Sequence, residues 1–367
     1  MSISFFETVI SPQAIELATE VLRSGWVSEG FRVAEFEDVL SKEHRLSHPV
    51  ALNSGTSALH LALVLAGVKA GDEVVVPPQT FVATGHAVLM QQATPVFADI
   101  DPLTGNLSPA SVERALSDRT KAIIAVHWGG YPCDLDALAA VAARSKVALI
   151  EDAAHALGAS YHKRPIGSVS RFTCFSFQAI EHVTCGDGGA LCCKDAGDAA
   201  EARRRRWFGI DRGQAGPFEL GEREVDIETV GFKYHMNDLA AAVGLGNLAG
   251  LRERLARRKD IAGLYRQSLE GVPGLTLLRA DDGHASAHWL FTVLVERRAS
   301  FVRALEERGI PTSVVYRRID RHPVFGRTRP DLAGQDSFDE RQISIPLHSS
   351  LSDREVQQVV DGVRAGW

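Results

Sequence analysis

Short apolar, β-branched runs alternate with helical patterns through the first half of the chain, and this alternation limits the possible folds more than any other feature. Strands that alternate with helices form βαβ units, in which the strands are parallel and buried. The predicted strands are 74–76, 96–98, 122–126, 147–150, 172–177 and 189–193, and the predicted helices are 56–65, 81–90, 109–116 and 135–143. We therefore expect an α/β fold with a mostly parallel central sheet.

The last third of the chain predicts a second, smaller α+β domain. A helical pattern over residues 236–269 leads out of the first domain. It is followed by predicted strands at 290–295, 312–316 and 343–346, with helices at 300–308 and 352–363. We predict a large domain over residues 1–245 and a small C-terminal domain over residues 246–367, joined by a long helix. The polar stretch 211–228 predicts a mobile loop that covers a site.

Composition excludes several classes of protein. The 367 residues are 45% hydrophobic, enough for the cores of one large or two moderate domains. A net charge of -6 argues against nucleic acid as a partner, and the one basic run, 203–206, is either a solvated helix face or a site for an anionic substrate. No window approaches the ~20 apolar residues that cross a bilayer, so we expect no membrane partner. The five cysteines lack zinc or disulfide spacing, which predicts reduced thiols, no metal and a cytoplasmic location.

Two segments are suited to binding a ligand. In Asn53-Ser54-Gly55-Thr56-Ser57, a loop follows a strand and opens a helix, so its backbone amides can face an anion at the helix N-terminus. In Glu151-Asp152-Ala153-Ala154-His155, an acidic side chain stands at the carboxyl end of a predicted strand, where open α/β sheets bind ligands. Helix capping and core packing are the structural alternatives for both segments.

The run 176–189, Ser-Phe-Gln-Ala-Ile-Glu-His-Val-Thr-Cys-Gly-Asp-Gly-Gly, resembles the Schiff-base segment of the DegT/DnrJ/StrS family of sugar aminotransferases, which are pyridoxal-phosphate (PLP) enzymes of fold type I. Every signature position matches except the lysine, where Glu181 stands. Further resembling segments are 24–30, 53–59, 78–84, 151–156, 231–238 and 316–323. The resemblance implies PLP or pyridoxamine phosphate (PMP) as cofactor, and a homodimer with composite active sites.

The resemblance also implies how these residues would hold PLP. Asp152 would lie beside the pyridine nitrogen and keep it protonated, His155 would lie next to the 3-oxygen, and Phe81 would stack on the ring. The residues expected at the phosphate are Gly55, Thr56, Ser57 and Ser176, together with Lys233 reaching in from the second subunit. For Ser176, Phe81 and Lys233, the structural alternatives are a locally bonded hydroxyl, a core side chain and a surface lysine.

Four residues are candidates for binding the substrate. The resemblance places Trp26 on the substrate side of the pocket, although packing explains it equally well. Arg212 follows the basic run and is a candidate for a sugar-nucleotide phosphate. Arg318 and His322 lie in a C-terminal segment that faces substrate in the family and are candidates for binding anions.

Glu181 separates what the fold implies from what this chain can catalyse. The family's lysine forms the internal aldimine with PLP and then moves a proton, whereas glutamate cannot do the first. Since a positioned acid or base is commonly worth about 10²–10⁴ in rate, we expect transamination to fall by several orders of magnitude.

Three hypotheses follow for the function. In the first, the chain is an aminotransferase for a keto sugar, nucleotide-linked, with glutamate or glutamine as amino donor; it is inactivated at position 181 and still holds PMP or an external aldimine. In the second, it is a natural lysine-less, PMP-dependent sugar dehydratase. In the third, it is a noncatalytic binding or regulatory protein that keeps the pocket.

Overall fold

The computed structural model describes residues 3–211, 227–326 and 331–367. Strands and helices alternate within these ranges as the sequence predicted. The strands in the described ranges are β1 (Pro49–Leu52), β2 (Glu73–Val76), β3 (Thr94–Phe97), β4 (Thr120–Val126), β5 (Ala148–Asp152), β6 (Ser160–Tyr161), β7 (Arg164–Pro165), β8 (Phe172–Ser176), β9 (Gly189–Cys193), β10 (Leu275–Leu277), β11 (His284–Ala285), β12 (Phe291–Val295) and β13 (Gln342–Ile345).

Twelve α-helices lie in the same ranges, together with 3-10 turns at Trp128–Gly130, Ile319–Arg321 and Pro323–Phe325. The α-helices are α1 (Pro12–Ser24), α2 (Phe31–Lys42), α3 (Gly55–Leu65), α4 (Val82–Met90), α5 (Pro109–Ala115), α6 (Leu135–Ser145), α7 (Ala196–Arg205), α8 (Asp238–Leu248), α9 (Leu251–Leu269), α10 (Arg298–Glu307), α11 (Ala333–Arg341) and α12 (Asp353–Arg364).

The large domain is built on a seven-stranded sheet in the order β1-β9-β8-β5-β4-β2-β3. Strand β9 pairs antiparallel with both of its neighbours, and the other pairs are parallel. Six strands therefore point the same way, and their carboxyl ends share one edge. The predicted mostly parallel sheet of fold type I is confirmed.

Successive strand residues supply two separate cores, because side chains alternate between the faces of a sheet. Ile123 and Val75 pack with helices α2, α6 and α8 on one face. Ile124 and Val76 pack with α3, α4 and α7 on the other. With both faces covered by helices, the sheet is buried and only its edges and strand ends are open to ligands.

The C-terminal part forms the smaller α+β layer that the sequence predicted. Strand β12 pairs antiparallel with β10 and with β13, and α9, α10 and α12 cover this sheet with a core of their own. The expected strand at 312–316 is wrong, since this segment makes only an isolated bridge between Ser313 and Ser344. Tyr316 has a φ of 48°, which is incompatible with an extended strand.

The helical pattern over 236–269 forms two helices rather than one. Helix α8 ends at Leu248 and α9 begins at Leu251, with Gly250 between them. Leu248 and Leu251 still pack into the core of the large domain, whereas Ile261 packs into the small one. We therefore propose that the boundary predicted at residue 245 lies within the first turns of α9. Most of the loop predicted at 211–228 lies outside the described residues.

Candidate active site

The carboxyl ends of β5 and β8 bring three predicted cofactor residues to one edge of the large sheet. Asp152 ends β5 and Ser176 ends β8, and these neighbouring strands are parallel. Helix α3 begins beside them at Gly55, where an added Cβ would lie 3.0 Å from the Ser176 Cβ. Open α/β sheets bind ligands at such an edge. This edge is the candidate active site.

The loop before α3 provides backbone amides at this edge. The first amides of a helix have no carbonyl partner within it. Ser54 Oγ accepts the Ser57 amide at 3.0 Å, and the Ser57 hydroxyl donates to Asn53 Oδ1 at 2.6 Å. Ser57 therefore uses both of its donors to close the loop. The amides of Gly55 and Thr56 are the better candidates for binding an anion.

The glycine turn after Glu181 packs directly against this loop. Gly186 has a φ of +82°, and a Cβ on Gly189 would lie 2.3 Å from the carbonyl carbon of Ser54. Both glycines are therefore needed for the backbone path. Their role is to set the position of the Ser54–Gly55 backbone.

Asp152 is a buried carboxylate with few donors. It is 6% exposed, accepts the Thr84 hydroxyl at 2.8 Å on Oδ2, and accepts the Ala154 amide at 3.3 Å on Oδ1. Burial raises the pKa of Asp152, and the two hydrogen bonds only partly offset that effect. A cationic group beside Asp152 would stabilise its charged form.

His155 lies in an aromatic stack behind Asp152. Its ring is parallel to that of Trp289, with centroids 3.7 Å apart, and it meets Trp128 edge-on at 6.0 Å. Burial lowers the pKa of His155 to about 3, so the imidazole is neutral at physiological pH. Its buried Nδ1 has no hydrogen-bond partner among the described residues. His155 can therefore offer a neutral imidazole to a bound ligand.

Two aromatic rings lie over the site. Phe81 caps helix α4 and is 51% exposed, which is unusual for a core phenylalanine. Its ring lies 5.0 Å from that of Tyr316, which also stacks near His155 at 6.1 Å. Burial raises the pKa of Tyr316, and Glu181 and Asp152 raise it further. The Tyr316 hydroxyl is therefore protonated and close to both carboxylates.

Glu181 lies in the turn after β8, and its carboxylate joins this group. Its Oε2 is buried with no hydrogen-bond partner among the described residues. Burial raises the pKa of Glu181 well above its ordinary value, and the charge of Asp152 adds to this. A hydrogen bond from Ser176 and the charge of Arg258 oppose the shift. Two carboxylates without a shared cation thus lie in one buried site.

His182 is directed away from the role of a base. Its Nε2 bonds the Ala287 carbonyl oxygen at 2.8 Å, and the side chain is buried. Since a nitrogen facing a carbonyl oxygen must carry the proton, His182 Nε2 donates there, and burial lowers the pKa of His182 well below its ordinary value.

Lys233 is exposed, and its backbone lies beside the Ser54–Gly55 loop of its own chain. Its Nζ lies 5.7 Å from the centroid of the Trp207 ring. Its carbonyl oxygen accepts from Asn53 Nδ2 at 3.2 Å, and the Asn53 amide donates to the Tyr234 carbonyl at 2.8 Å. The segment that contains Lys233 is therefore anchored to the start of the Ser54–Gly55 loop. The role of Lys233 in a second subunit stays a prediction.

The candidate substrate residues are more dispersed than the cofactor residues. Trp26 is 64% exposed, and its Nε1 donates to the Glu29 carbonyl at 3.2 Å. His322 is half-buried between two short 3-10 turns. Arg212 lies outside the described residues. These three stay predictions.

The prediction that Arg318 binds an anionic substrate must be corrected. Arg318 is 3% exposed, and its guanidinium donates twice to Asp320 at 2.7 Å and also to Asp336. Its charge is balanced within the chain, so Arg318 is a buried structural residue that is not free to bind an anionic substrate. The sequence could not show this, because Asp336 lies 18 positions away on α11.

The basic run 203–206 is paired in the same way. Arg203 and Arg206 bind Glu37, and Arg206 also binds Glu29. Between them, Arg204 and Arg205 both bind Glu201. Of the two sequence-based alternatives, these ion pairs favour a structural helix face over an anion site.

Three residues of the site were missed by sequence reasoning. Thr84 and Tyr316 lie within segments that resemble the family, and the signal for them was their place in those segments. Trp289 is 134 positions from His155 and no local pattern marks it. Only the tertiary fold brings these rings together.

The comparisons with known proteins agree with this geometry. Residues 9–364 match the DegT/DnrJ/EryC1/StrS aminotransferase family. The chain belongs to this family of sugar aminotransferases, whose enzymes use PLP.

Individual relatives match over nearly their full length. The spore coat polysaccharide biosynthesis protein SpsC of Bacillus subtilis is 37% identical over 97% of this chain and 95% of its own. The crystal structure of AtS13 from Actinomadura melliaura superimposes with a TM-score of 0.95 at 39% identity, covering 100% of this chain and 99% of that one. The sugar aminotransferase CalS13 from Micromonospora echinospora gives a TM-score of 0.95 at 33% identity, with 100% of both chains covered.

The residues at the sheet edge fit PLP. Spr1654 from Streptococcus pneumoniae has been solved in PLP and PMP forms, with TM-scores of 0.91 at 30% and 29% identity; both cover 100% of this chain, and 98% and 97% of the respective chains are matched. In this chain, the buried Asp152 lacks a cation, His155 Nδ1 lacks a partner, and Gly55 leaves space beside Ser176. Each is a group that PLP would satisfy.

Three further features concern metal ligands, membrane-spanning helices and cysteines in the described ranges. No set of three or more His, Cys, Asp or Glu side chains gathers there to hold a metal ion. No helix of these ranges is long and apolar enough to cross a membrane. The five cysteines are all buried and free of disulfide bonds.

Proposed function

We propose that this chain is an aminotransferase for a nucleotide-linked keto sugar, with glutamate or glutamine as amino donor, in which Glu181 takes the place of the Schiff-base lysine and suppresses turnover. The observation that carries the proposal is that the Glu181 carboxylate lies beside the buried Asp152 at the carboxyl edge of the sheet, with its own Oε2 buried and without a hydrogen-bond partner among the described residues. The names of the relatives, which refer to sugar transamination and to polysaccharide biosynthesis, support a sugar substrate.

The residues around the edge divide the work of binding. When bound, PLP supplies an electron-accepting ring that makes the substrate Cα acidic. Asp152 holds a proton at the pyridine nitrogen, and the gain of a cationic partner returns the Asp152 carboxylate to its charged form. The amides of Gly55 and Thr56 and the hydroxyl of Ser176 bind the phosphate at the helix N-terminus. Phe81 covers the face of the ring.

Glu181 changes what this site can do. A carboxylate cannot form the imine that a lysine amine forms. At this position it also adds a second acidic group beside Asp152, where burial and the like charge favour its protonated form. We infer that the site, lacking the lysine amine, holds PMP or a sugar adduct without releasing product.

We propose further that the protein acts as a homodimer in the cytoplasm, with Lys233 completing the phosphate site of the second subunit. Helices α1 and α2 and the turn between them expose several large apolar side chains, a pattern typical of a subunit interface: Ile15 60%, Leu22 60%, Trp26 64% and Phe31 65%. Sedimentation analysis at micromolar concentration should give twice the chain mass. A single-chain mass at that concentration would contradict the dimer.

Restoring the lysine tests the proposal. Glu181→Lys with PLP should give a visible absorption band from covalently attached cofactor, and glutamate should bleach it. Glu181→Gln, which matches Glu181 in shape but has no amine, is the control and should bind PLP without that band. Absence of the band in Glu181→Lys despite bound PLP would contradict the assignment of position 181.

Two alternatives give different results in the unmodified chain. A PMP-dependent sugar dehydratase would consume a keto-deoxysugar nucleotide and release ammonia. A noncatalytic binding protein would bind PMP or a sugar adduct, and Glu181→Lys would still show no transfer from glutamate to a panel of keto-sugar nucleotides. The proposal requires no ammonia from the unmodified chain and measurable transfer by Glu181→Lys.

A further inference from the structure

A cavity of about 530 Å³ lies between helix α9, the segment 278–292 and the turn 128–131. It is separate from the sheet edge that holds Asp152 and Glu181, since neither residue lines it. Trp128 lines the cavity and also meets His155 edge-on at 6.0 Å. The cavity therefore lies behind the aromatic stack of the candidate active site.

Two cations on one face of α9 line this cavity without a balancing carboxylate. Lys259 and Arg266 both line it, and neither forms an ion pair with any described residue. The guanidinium of Arg266 donates to the Leu278 carbonyl at 2.9 Å. Seven residues of an α-helix rise by ~10 Å, so the two side chains can reach one ligand from the same helix face.

Arg279, a third cation at the cavity, provides a contrast. It binds Asp101 at 3.0 Å and Asp281 at 2.8 Å. Both of these carboxylates are thus engaged by Arg279. Lys259 and Arg266 have no carboxylate partner in the part of the chain that the structure describes.

Two polar groups that line the cavity also lack partners. The buried Nε1 of Trp128 and the buried Nδ1 of His284 make no hydrogen bond with the described residues. Buried polar groups in native proteins are nearly always hydrogen-bonded. Their presence together in one lining is an observation independent of the two cations, and it also indicates a ligand with acceptor oxygens.

His288 reports the local excess of positive charge. This residue lines the same cavity and has a φ of 52°, a conformation rare for a side-chain-bearing residue. Burial lowers the pKa of His288 to about 4, and the charges of Arg266, Lys259 and Arg258 lower it further. An anion in the cavity would offset these charges.

We propose that this cavity is a second binding site, distinct from the cofactor site, for a small phosphate-bearing anion held by Lys259 and Arg266. Phosphate oxygens accept from both cations and from the Trp128 indole N–H, and His284 adds a further donor in the tautomer that carries its proton on Nδ1. The volume is sufficient for a diphosphate or a nucleoside diphosphate, and the apolar wall formed by Leu255, Leu278 and Leu290 suits the remainder of such a molecule.

Calorimetric titration with inorganic pyrophosphate tests this site in the full chain, with the cofactor site saturated by PMP. We expect saturable binding to one site per chain. The double variant Lys259→Ala/Arg266→Ala removes both cations that would bind the phosphate oxygens, so it should weaken pyrophosphate binding by about tenfold or more. Arg252→Ala removes the same charge from an exposed position of α9 that does not line the cavity, and it should change the affinity by less than about twofold.

The same titration with phosphate and with uridine diphosphate identifies the source of the phosphate group. Tighter binding of uridine diphosphate than of pyrophosphate would assign a nucleoside diphosphate, and equal binding would assign the phosphate groups alone. The proposal is overturned if pyrophosphate does not bind at millimolar concentration, if the double variant binds as well as the unmodified chain, or if Arg252→Ala weakens binding as much as the double variant does. These results do not depend on the reaction catalysed at the sheet edge.

Discussion

Two neighbouring carboxylates on β5 have opposite environments. Glu151 is 0% exposed and accepts three hydrogen bonds, from His127 Nε2 at 2.8 Å, the Ser170 amide at 3.0 Å and the Thr173 hydroxyl at 3.1 Å. Although burial raises the pKa of Glu151, the bonds from His127 and Ser170 hold it below its ordinary value. Glu151 is thus satisfied entirely by its own chain.

Asp152 is also buried, at 6% exposed, yet only Thr84 and the Ala154 amide donate to it, and its pKa is raised. Successive strand residues point to opposite faces, so Glu151 faces the protein interior while Asp152 faces the candidate site. The difference teaches that a buried carboxylate stabilises the fold when the chain supplies its partners. A buried carboxylate without such partners is available to interact with a ligand.

The largest expected effect is on stability, at Glu151. His127 Nδ1 accepts the Cys133 amide, so its Nε2–H donates to Glu151. In Glu151→Gln, one carboxylate oxygen becomes an NH₂ group, which donates hydrogen bonds and cannot accept them. Either the His127 Nε2–H or the Ser170 N–H then faces this NH₂ group instead of an acceptor. A hydrogen bond to a charged group contributes about 1.5–3 kcal/mol and an unsatisfied buried donor costs about 1–3 kcal/mol, so we expect a loss of about 3–5 kcal/mol in the free energy of unfolding, measured by urea denaturation of the apoprotein. A loss under about 1 kcal/mol would show that Glu151 is not a structural residue.

The second effect is on activity, at Asp152. In a Glu181→Lys background, Asp152→Asn should lower transamination on the order of 10²–10³-fold, equivalent to about 2.7–4 kcal/mol, because it removes a preorganised charge. The control is Glu151→Gln in the same background, which should keep most of the activity per folded molecule. Equal losses in the two variants would erase the distinction between these carboxylates. Initial rates with glutamate and a keto-sugar nucleotide provide the measurement.

Local pattern was sufficient for the residues at strand ends and loops. The carboxyl end of a strand and the start of a helix are both visible in sequence, and these signals marked Gly55 and Asp152 as ligand-binding positions, whereas Ser176 followed from the resemblance. The resemblance added the roles of Phe81 and His155. Each prediction depended on a short contiguous segment.

Residues whose environment depends on distant partners were not predictable in this way. Arg318 looked available for substrate, and its pairing with Asp336 on α11 follows from the packing of the small domain. The strand expected around Tyr316 did not form, because the positive φ of Tyr316 turns its ring toward Phe81 and His155. The stack of His155 on Trp289 joins two domains and has no sequence signal.

The third effect is a pH dependence that comes from Glu181. Because burial and Asp152 raise its pKa, the folded chain keeps a proton that the unfolded chain releases above pH ~4.3, so this group lowers stability as pH rises through that interval. Glu181→Gln removes the effect and should be more stable than the unmodified chain at pH 8, by on the order of 1 kcal/mol, with the gain vanishing near pH 4. Urea denaturation at several pH values measures it. The exposed Glu253→Gln is the control, and an equal gain there would contradict this assignment.

The smallest expected effect is that of Asp152→Asn on the stability of the apoprotein. Thr84 Oγ1 also lies 2.7 Å from Thr80 Oγ1, so the Thr84 hydroxyl can turn to donate to Thr80 and accept from an asparagine NH₂. The asparagine oxygen then still accepts the Ala154 amide. Loss of a poorly paired buried charge offsets the small cost of this rearrangement, and we expect a change within about 0.5 kcal/mol at pH 7. Urea denaturation beside Glu151→Gln measures the contrast directly. A loss as large as that of Glu151→Gln would mean that Asp152 also supports the fold, and the separation between the two faces of β5 would fail.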